Sequence, residues 1–390
     1  MSKIMTLTKI ISINFLITLL LLGILFLIPP ISYKIYSYAG GHSTFFPSDK
    51  REGLELYANF SWTKKHFKEM VQIPAKYHDY IIWRRDDFIG ETININNGLR
   101  RTVIPDTMND NLSSFWFYGG STTWGQGVPD AFTYPSLFAQ QNGVNVVNFG
   151  EMAYLARQSV AFMVNHIISN DIQDLSDTKV VFYDGVNDVH IRCKTGHDGI
   201  STSRQNQLRT LLANKHKYSF ARTFSQLTDF LAALSYKVGA NIGGNTDGAP
   251  IYNCASDSDR AIEVANSLVR TWEAAADIVS SRGGEFTAIL QPAAYFGDAE
   301  YGYLNFTNAT DIELSQQFQA VYPLVIKFAE KSNINFIDLT HVYDSCVDCY
   351  IDYCHASPQG HKKLVQQLSE KFPPNLVNTG ISEGAITEWE

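Results

Sequence analysis

Short apolar runs alternate with helical patterns from residue 113 onward. The runs are four to six residues long, which is typical of buried strands, and most are followed by a polar or glycine-rich turn. The predicted strands are residues 115–118, 144–149, 180–183, 286–290 and 334–337. The predicted helices are residues 134–141, 157–169, 261–281, 311–332 and 361–371. Strands that alternate with helices need crossover connections, so the pattern predicts an α/β domain with a parallel sheet covered on both faces.

One stretch ahead of this region carries no charge. Residues 10–33 form a run of 24 uncharged residues bracketed by Lys9 and Lys34. This is longer than the roughly 20 residues that a helix needs to cross the hydrocarbon layer of a membrane. We therefore expect an uncleaved transmembrane signal anchor at residues 10–30, with residues 1–9 as a short cytoplasmic tail. A cleaved secretory signal is the alternative, because the basic residues at the start also fit the n-region of such a signal.

Two other segments depart from the strand–helix alternation. Residues 31–110 are rich in aromatic side chains and lack strong periodicity, and we interpret them as a β-containing connector next to the membrane. Alternation over residues 92–96, followed by Asn97-Gly98, predicts a β-hairpin in this connector. Residues 111–390 are the predicted main domain. Within that domain the polar, Gly- and Asn-containing segment 196–257 is predicted to be an excursion that carries one or two helices.

Composition narrows the class of protein. The chain has 390 residues, of which 45% are hydrophobic and 18% charged, so it is too apolar and too weakly charged to be disordered. Its 31 basic and 39 acidic residues give a formal net charge of −8, whereas a duplex nucleic-acid binder needs a cationic surface. We expect no nucleic-acid partner. The five cysteines favour an oxidising compartment, and hence a periplasmic or extracellular location for the bulk of the chain.

Candidate chemistry lies in the turns after the predicted strands, because ligands of open parallel sheets bind beyond the carboxyl ends of the strands. Two glycines precede Ser121 after the first strand, so the backbone can turn sharply and expose the hydroxyl as a nucleophile requires. Gly150, after the second strand, offers an unobstructed N–H, and Asn187, after the third, offers a side-chain amide. With the N–H of Ser121 they are candidates for an oxyanion hole. Taken singly, each is more often an ordinary turn residue.

The last candidate segment follows the fifth predicted strand. Asp352 and His355 stand three positions apart, in a turn ahead of the last predicted helix. In a serine hydrolase a histidine takes the proton of the serine, and a carboxylate holds the imidazole in the correct tautomer. We therefore take Asp352 and His355 as the partners of Ser121. Considered alone, the pair could instead be a capping turn or part of a metal-binding site.

The cysteines have two competing interpretations. Cys346, Cys349 and Cys354 lie close to His355 in the sequence, and a Cys-x-x-Cys beside a histidine also suggests zinc. If His355 is the base it is not a metal ligand, so we expect disulfides instead, within this group and between Cys193 and Cys254. Five cysteines leave one unpaired, and the sequence does not determine the pairing.

Taken in order, these segments resemble the four blocks of the SGNH hydrolase superfamily, the GDSL-like esterases and lipases. They read Gly119-Gly120-Ser121, Gly150, Gly185-Val186-Asn187-Asp188 and Asp352-Tyr353-Cys354-His355. The resemblance covers about residues 113–372. Two departures are Gly120, where the better-known signature has Asp, and the sparse second block around Gly150.

The resemblance implies a flavodoxin-like three-layer α/β/α domain with a five-stranded parallel sheet. It implies Ser121 as the nucleophile, His355 as general base and then acid, and Asp352 as the orienting carboxylate. The N–H groups of Ser121 and Gly150 and the amide of Asn187 would form the oxyanion hole. The implied reaction is ester hydrolysis through an acyl-serine, without a metal or organic cofactor.

The compartment bears on the substrate. An anchored enzyme outside the cytoplasm suits O-acyl groups of envelope glycans or lipid esters. An O-acyltransferase would use the same triad, with a sugar hydroxyl in place of water. The alternative of another class is a catalytically silent glycan-binding or assembly module. Such a module is expected to have lost triad residues, whereas all of them are present here.

Overall fold

The computed structural model of the chain describes residues 13–18, 20, 21, 23, 49–105, 112–197, 251–304, 306 and 309–373. The chain divides into two compact units. One unit comprises residues 1–48 and 204–249, and its described residues are helical. Among the described residues, no helix combines the length and apolarity that a membrane crossing requires. Most of the predicted anchor at residues 10–30 and most of the predicted excursion at 196–257 lie outside the described residues.

The other unit comprises residues 49–203 and 250–390, and it begins with small elements. Two short 3₁₀-helices, helix α1 and five short strands lie in residues 49–105. They are 3₁₀-helices Lys50–Gly53 and Glu55–Tyr57, α1 (Thr63–Gln72), β1 (Ala75–His78), β2 (Ile82–Arg85), β3 (Phe88–Ile89), β4 (Asn94–Asn96) and β5 (Leu99–Arg100). Strands β4 and β5 pair antiparallel across Asn97 and Gly98, whose φ angles of 51° and 68° suit a two-residue hairpin turn. The predicted hairpin is confirmed. The predicted boundary near residue 110 stays a prediction.

A five-stranded parallel sheet organises this unit. Its strands are β6 (Ser114–Gly119), β7 (Val146–Asn148), β8 (Thr178–Asp184), β9 (Glu285–Leu290) and β10 (Asn335–Asp338). The spatial order is β7-β6-β8-β9-β10, with every neighbouring pair parallel. In chain order this is 2-1-3-4-5, the flavodoxin-like arrangement. The predicted α/β class and five-stranded parallel sheet are confirmed, and each strand overlaps the run of residues that predicted it.

Helices cover both faces of the sheet. They are α2 (Ser121–Trp124), α3 (Tyr134–Asn142), α4 (Ala156–Ser169), α5 (Val186–Arg192), α6 (Ser258–Ser280), α7 (Ala309–Ala329) and α8 (Pro358–Lys371). Trp116 and Tyr118 of β6 pack in a cluster with side chains of α4, α6 and α7. Phe115 and Phe117 of the same strand pack in a second cluster with side chains of α3 and α8. Successive strand residues point to opposite faces, so β6 is buried on both sides.

The topology creates a crevice at the centre of the sheet. Strands β6 and β8 are neighbours. After β6 the chain continues to α3 on one face, and after β8 it continues to α6 on the opposite face. The connections diverge there, so the carboxyl ends of β6 and β8 border the position at which ligands of such sheets bind. Helix α2 follows β6, and α5 follows β8, in each case after a single glycine.

Candidate active site

Ser121, His355 and Asp352 form one hydrogen-bonded chain. The Oγ of Ser121 lies 2.7 Å from Nε2 of His355. The Nδ1 of His355 lies 2.7 Å from Oδ2 and 2.8 Å from Oδ1 of Asp352. Both carboxylate oxygens are acceptors, so Nδ1 carries the proton and Nε2 accepts from the serine hydroxyl. The fold therefore brings together three side chains that the sequence analysis singled out as a triad.

The turn between β6 and α2 holds Ser121 at the carboxyl end of the sheet. Gly119 has φ 155°, and a Cβ there would lie well inside 3.0 Å of the carbonyl oxygen of Tyr183. A Cβ at Gly120 would likewise collide with Nδ2 of Asn187. The two glycines allow the chain to pass closely over the end of β8 and the start of α5 before helix α2 begins. Ser121 is 7% exposed and His355 9%, so the pair is largely shielded from water.

Asp352 is held ionised by its neighbours. Its Oδ1 accepts the backbone N–H groups of Cys354 (3.0 Å) and His355 (2.8 Å), which fixes the turn from 352 to 355. Its Oδ2 accepts from Nη1 of Arg51 at 2.7 Å. Burial alone would raise the pKa of Asp352, but the charge and hydrogen bond of His355 and the charge of Arg51 outweigh it. The pKa of this carboxyl therefore lies well below its usual range.

Arg51 and Gln126 are part of the site, and the sequence analysis missed both. The guanidinium of Arg51 binds Asp49 through Nε (2.9 Å) and Nη2 (2.6 Å) in addition to Asp352. The amide of Gln126 directs its oxygen to Nη2 of Arg51 (2.6 Å) and its nitrogen to Nε2 of His355 (2.8 Å), the orientation that pairs donors with acceptors. Arg51 and Asp352 are 301 positions apart, so no local pattern could have linked them.

A buried arginine holds the turn that carries Gln126. Nη1 of Arg100 donates to the carbonyl oxygens of Trp124 (2.9 Å) and Gly125 (2.6 Å), and Nη2 donates to that of Val128 (2.6 Å). Its Nε pairs with Oδ1 of Asp130 at 3.0 Å. Three carbonyls between residues 124 and 128 thus accept hydrogen bonds from one cation, which fixes the segment after helix α2.

The candidate oxyanion-hole residues Gly150 and Asn187 lie close to helix α2 and the glycine before it. Nδ2 of Asn187 donates to the carbonyl oxygen of Tyr154 at 2.8 Å, and this bond uses one of the two amide hydrogens. Gly150 packs so closely against the 123–124 backbone that a Cβ would collide with it. The N–H of Gly150 donates to Oδ1 of Asn148 at 2.9 Å, so this bond must shift or be shared before the N–H can serve an oxyanion. The catalytic roles of Gly150 and Asn187 stay predictions.

The cysteines form two disulfides in the described residues. Cys193 is bonded to Cys254, and Cys346 is bonded to Cys349. Cys354 is a buried free thiol, with Sγ 3.4 Å from Nδ1 of His355. Asp352, Cys354 and His355 offer ligand atoms within 4.8 Å of one another. A metal ion there would compete with Asp352 for Nδ1, so the close Nδ1–carboxylate contact fits a catalytic triad better than a zinc site.

His190 and His361, which the sequence analysis interpreted as surface or helix residues, both lie in helices. Nδ1 of His361 accepts the backbone N–H of Tyr134 at 3.1 Å, and the side chain is 2% exposed. Nδ1 of His190 lies 2.7 Å from the hydroxyl of Tyr353. Burial lowers the pKa of each to about 3, so both are neutral packing residues.

Comparison with protein-family models and with curated proteins gives no match. The chain is similar to solved structures that include a member of the lipolytic G-D-S-L family from Veillonella parvula, at 14% identity and a TM-score of 0.38 over 67% of this chain and 98% of that one. Another is the acetylxylan esterase Axe2 from Geobacillus stearothermophilus, at 13% identity and a TM-score of 0.34 over 69% and 97%. A third is an aryl esterase from M. smegmatis, at 13% identity and a TM-score of 0.36 over 67% and 98%. The structures to which the chain is similar therefore include a lipolytic G-D-S-L protein and two esterases.

Proposed function

We propose that this protein is a serine ester hydrolase in which the acyl group of the substrate is transferred to Ser121 and then to water. The observation that carries the proposal is the continuous chain of hydrogen bonds from the hydroxyl of Ser121 through His355 to Asp352. The serine hydroxyl donates to one nitrogen of the imidazole, and the other nitrogen donates to the carboxylate. This is the arrangement that activates a serine as a nucleophile. A binding module has no need of this arrangement.

Acylation follows from the positions of the three side chains. The Oγ of Ser121 attacks the ester carbonyl carbon while its proton moves to Nε2 of His355. The carbonyl oxygen becomes an oxyanion, for which the N–H of Ser121 and the amide of Asn187 are the proposed donors. The imidazolium then gives its proton to the departing alkoxide, and the carbon–oxygen bond of the ester breaks. Asp352, ionised throughout, stabilises the imidazolium.

Deacylation repeats these steps with water. His355 is neutral again after the alcohol has left, so Nε2 takes a proton from a water molecule that attacks the acyl carbon. The second tetrahedral intermediate collapses as the imidazolium returns its proton to Oγ of Ser121. The carboxylic acid leaves, and the hydroxyl is restored.

We further propose that the enzyme is anchored at residues 10–30, with residues 1–9 cytoplasmic, a connector at 31–110 and the catalytic domain outside the cytoplasm. The charge-free run and the two disulfides support this location, because disulfides persist in oxidising compartments. The proposed substrates are O-acyl groups of envelope glycans or lipid esters. A reporter fused after Glu390 tests the topology, and activity of a reporter that works only in the cytoplasm would contradict it.

The proposed reaction is tested with the full-length chain in detergent and p-nitrophenyl acetate as substrate. Ser121→Ala is expected to lower kcat by about three or more orders of magnitude, because no other group in the triad can form the acyl intermediate. Ser280→Ala, at the exposed end of α6, is the matched control and is expected to retain wild-type turnover. Turnover by Ser121→Ala equal to that of the control would remove Ser121 from the mechanism.

The chemical class of the acyl donor is tested by competition. A fluorophosphonate probe is expected to label wild-type enzyme at Ser121, and a true substrate class is expected to slow that labelling. Acetylated glycans and phospholipids are compared with acyl-thioesters at equal ester concentration. Protection by acyl-thioesters alone would contradict the proposed glycan and lipid substrates.

A further inference from the structure

Three side chains close a hydrogen-bonded ring with the imidazole of His355. Asp352 contacts Nδ1, and Gln126 contacts Nε2. Arg51 completes the ring, because it donates both to Oδ2 of Asp352 (2.7 Å) and to the amide oxygen of Gln126 (2.6 Å). Asp49 binds the same guanidinium from outside the ring through two hydrogen bonds. The proposed catalytic triad thus has a cation and a second carboxylate attached to it.

We infer that Arg51 is a positioning residue that holds Asp352 and Gln126 against the two ring nitrogens of His355, and that its charge, opposed by that of Asp49, favours the neutral imidazole that acts as the base. The inference rests on the function proposed above for the same triad. It adds to that function two charged residues, both of which come from the segment at the start of the compact unit and neither of which touches the reacting atoms.

The first step of the inference concerns the carboxylate of Asp352. Its Oδ2 lies 2.7 Å from both Nδ1 of His355 and Nη1 of Arg51, so one oxygen serves two donors. A carboxylate already paired with a guanidinium stabilises a second cation less well. The positive charge of Arg51 also repels the imidazolium directly. Both effects favour the neutral imidazole, which is the form that takes the proton of Ser121.

The second step concerns Asp49. Its two carboxylate oxygens bind Nε and Nη2 of Arg51 in a bidentate pair, the strongest geometry for an arginine–carboxylate contact. This negative charge partly offsets that of Arg51 at the imidazole. Removal of Asp49 should therefore strengthen the effect of Arg51, whereas removal of Arg51 abolishes it. The two substitutions are expected to act in opposite directions.

Two further ionisable groups lie near His355. They are the thiol of Cys354, whose pKa is raised by burial and by Asp352, and the imidazole of His361, whose pKa burial, Arg100 and His355 lower to about 3. Both groups are therefore uncharged around neutral pH. Among the described residues joined to His355 through this hydrogen-bonded ring, Asp49, Arg51 and Asp352 are charged, and Arg51 is the cation.

The test is the acidic limb of kcat/KM for p-nitrophenyl acetate, measured with the full-length chain and its variants. Arg51→Gln is expected to move this limb up by about 1 pH unit, the size that a removed neighbouring charge produces. Asp49→Asn, which preserves shape, is expected to move it down. Arg51→Lys retains the charge and is expected to keep the limb near its wild-type position while kcat falls. Lys68→Gln, which removes an exposed cation of α1, controls for net charge and should leave the limb in place.

Two outcomes would overturn the inference while leaving the proposed function intact. If Ser121-dependent turnover persists and the limbs of Arg51→Gln and Asp49→Asn coincide with wild type, the charges do not act on His355. If both limbs move in the same direction, the two residues act only by holding the segment. Loss of Ser121 dependence, by contrast, would remove the proposed function itself. Should Arg51→Gln fail to fold, Asp49→Asn and the NMR titration of the His355 ring in Ser121→Ala carry the test.

Discussion

The side-chain amide of Asn187 occupies the space into which a Cβ at position 120 would project. The contact would fall well inside 3.0 Å, a separation that real Cβ atoms essentially never show. Gly120 precedes the proposed nucleophile, and Asn187 is a proposed oxyanion donor. The better-known signature of the resembled family has Asp at position 120. In this chain the absence of a side chain there leaves the space that the amide of Asn187 occupies.

The first prediction is that Gly120→Ala lowers kcat about 100-fold or more by displacing Asn187. The basis is that loss of one oxyanion donor typically costs about 100- to 1000-fold in kcat. KM should change little, because the donor acts mainly in the transition state. Steady-state kinetics with p-nitrophenyl acetate measure both constants.

A double-mutant cycle isolates the relationship. If Gly120→Ala acts through the amide, it adds little in a background that already carries Asn187→Ala. Gly302→Ala, at a position with nothing within 4 Å of the new Cβ, is the control and should leave kcat unchanged. Fully additive losses in the double variant would contradict the proposed coupling between Gly120 and Asn187.

The second prediction concerns stability at acidic pH. In the folded state the pKa of Asp352 is held below its usual range, despite burial, chiefly by His355 and then by Arg51. A depressed carboxyl pKa stabilises the fold above the unfolded-state value of about 3.9, and this contribution is lost as pH falls through the folded value. Asp352→Asn should therefore have a lower free energy of unfolding than wild type at pH 5–7. This difference in free energy, the stability gap, should narrow below about pH 4.

Urea unfolding of wild type and Asp352→Asn between pH 2 and pH 7 measures that gap. Asp298→Asn is a suitable comparison, because Asp298 is exposed and its carboxylate accepts no hydrogen bond among the described residues. Its difference in stability from wild type should not shrink at low pH. A gap for Asp352→Asn that widens toward low pH would contradict the depressed pKa.

The third prediction concerns the Arg100–Asp130 pair beneath the Gln126 turn. Both side chains are buried, at 0% and 8% exposure. Arg100→Met leaves the carboxylate of Asp130 and the three carbonyls of the turn without their cation, and breaking a buried pair in this way costs about 3–5 kcal/mol. The free energy of unfolding should fall by that amount, and the companion change Asp130→Asn should recover part of it. A double variant less stable than Arg100→Met would contradict this interpretation.

The fourth prediction compares the two disulfides. Cys193–Cys254 closes a loop with a sequence separation of 61, and Cys346–Cys349 closes one with a separation of 3. In the chain-entropy description these loops correspond to about 4 and about 2 kcal/mol of stabilisation. The paired alanine variant at 193 and 254 should therefore unfold at lower urea than the paired variant at 346 and 349. The reverse order would contradict the loop-closure explanation.

The sheet and the proximity of Ser121, His355 and Asp352 could be predicted because their signals are local. Each strand is a compact apolar run; Ser121 and Asn187 closely follow β6 and β8, and Asp352 and His355 lie in the loop between β10 and α8. In a parallel sheet the carboxyl ends of the strands meet at one edge, so sequence order alone brings the four residues together. The hairpin at Asn97-Gly98 was predictable for the same reason, since its turn chemistry is contained in two residues.

Arg51, Asp49 and Gln126 could not be predicted because their signal is not local. Asp49 and Arg51 lie in a short 3₁₀ turn without periodicity, and the partner of Arg51 is 301 positions away. Gln126 follows the nucleophile turn, and the hydrogen bonds from Arg100 to neighbouring carbonyls contribute to directing the segment toward His355. Long-range charge pairing of this kind depends on the finished fold and leaves no pattern in the sequence.

The most direct measurement is the identity of the residue that carries the acyl group during turnover. Wild-type enzyme mixed with p-nitrophenyl acetate, quenched with acid within the burst and digested, is predicted to yield one acetylated peptide, modified at Ser121. His355→Ala is predicted to yield none, because the hydroxyl is then not activated. Acetylation of Cys354 or any other residue, with Ser121 unmodified in an enzyme that still turns over, would contradict the proposed mechanism.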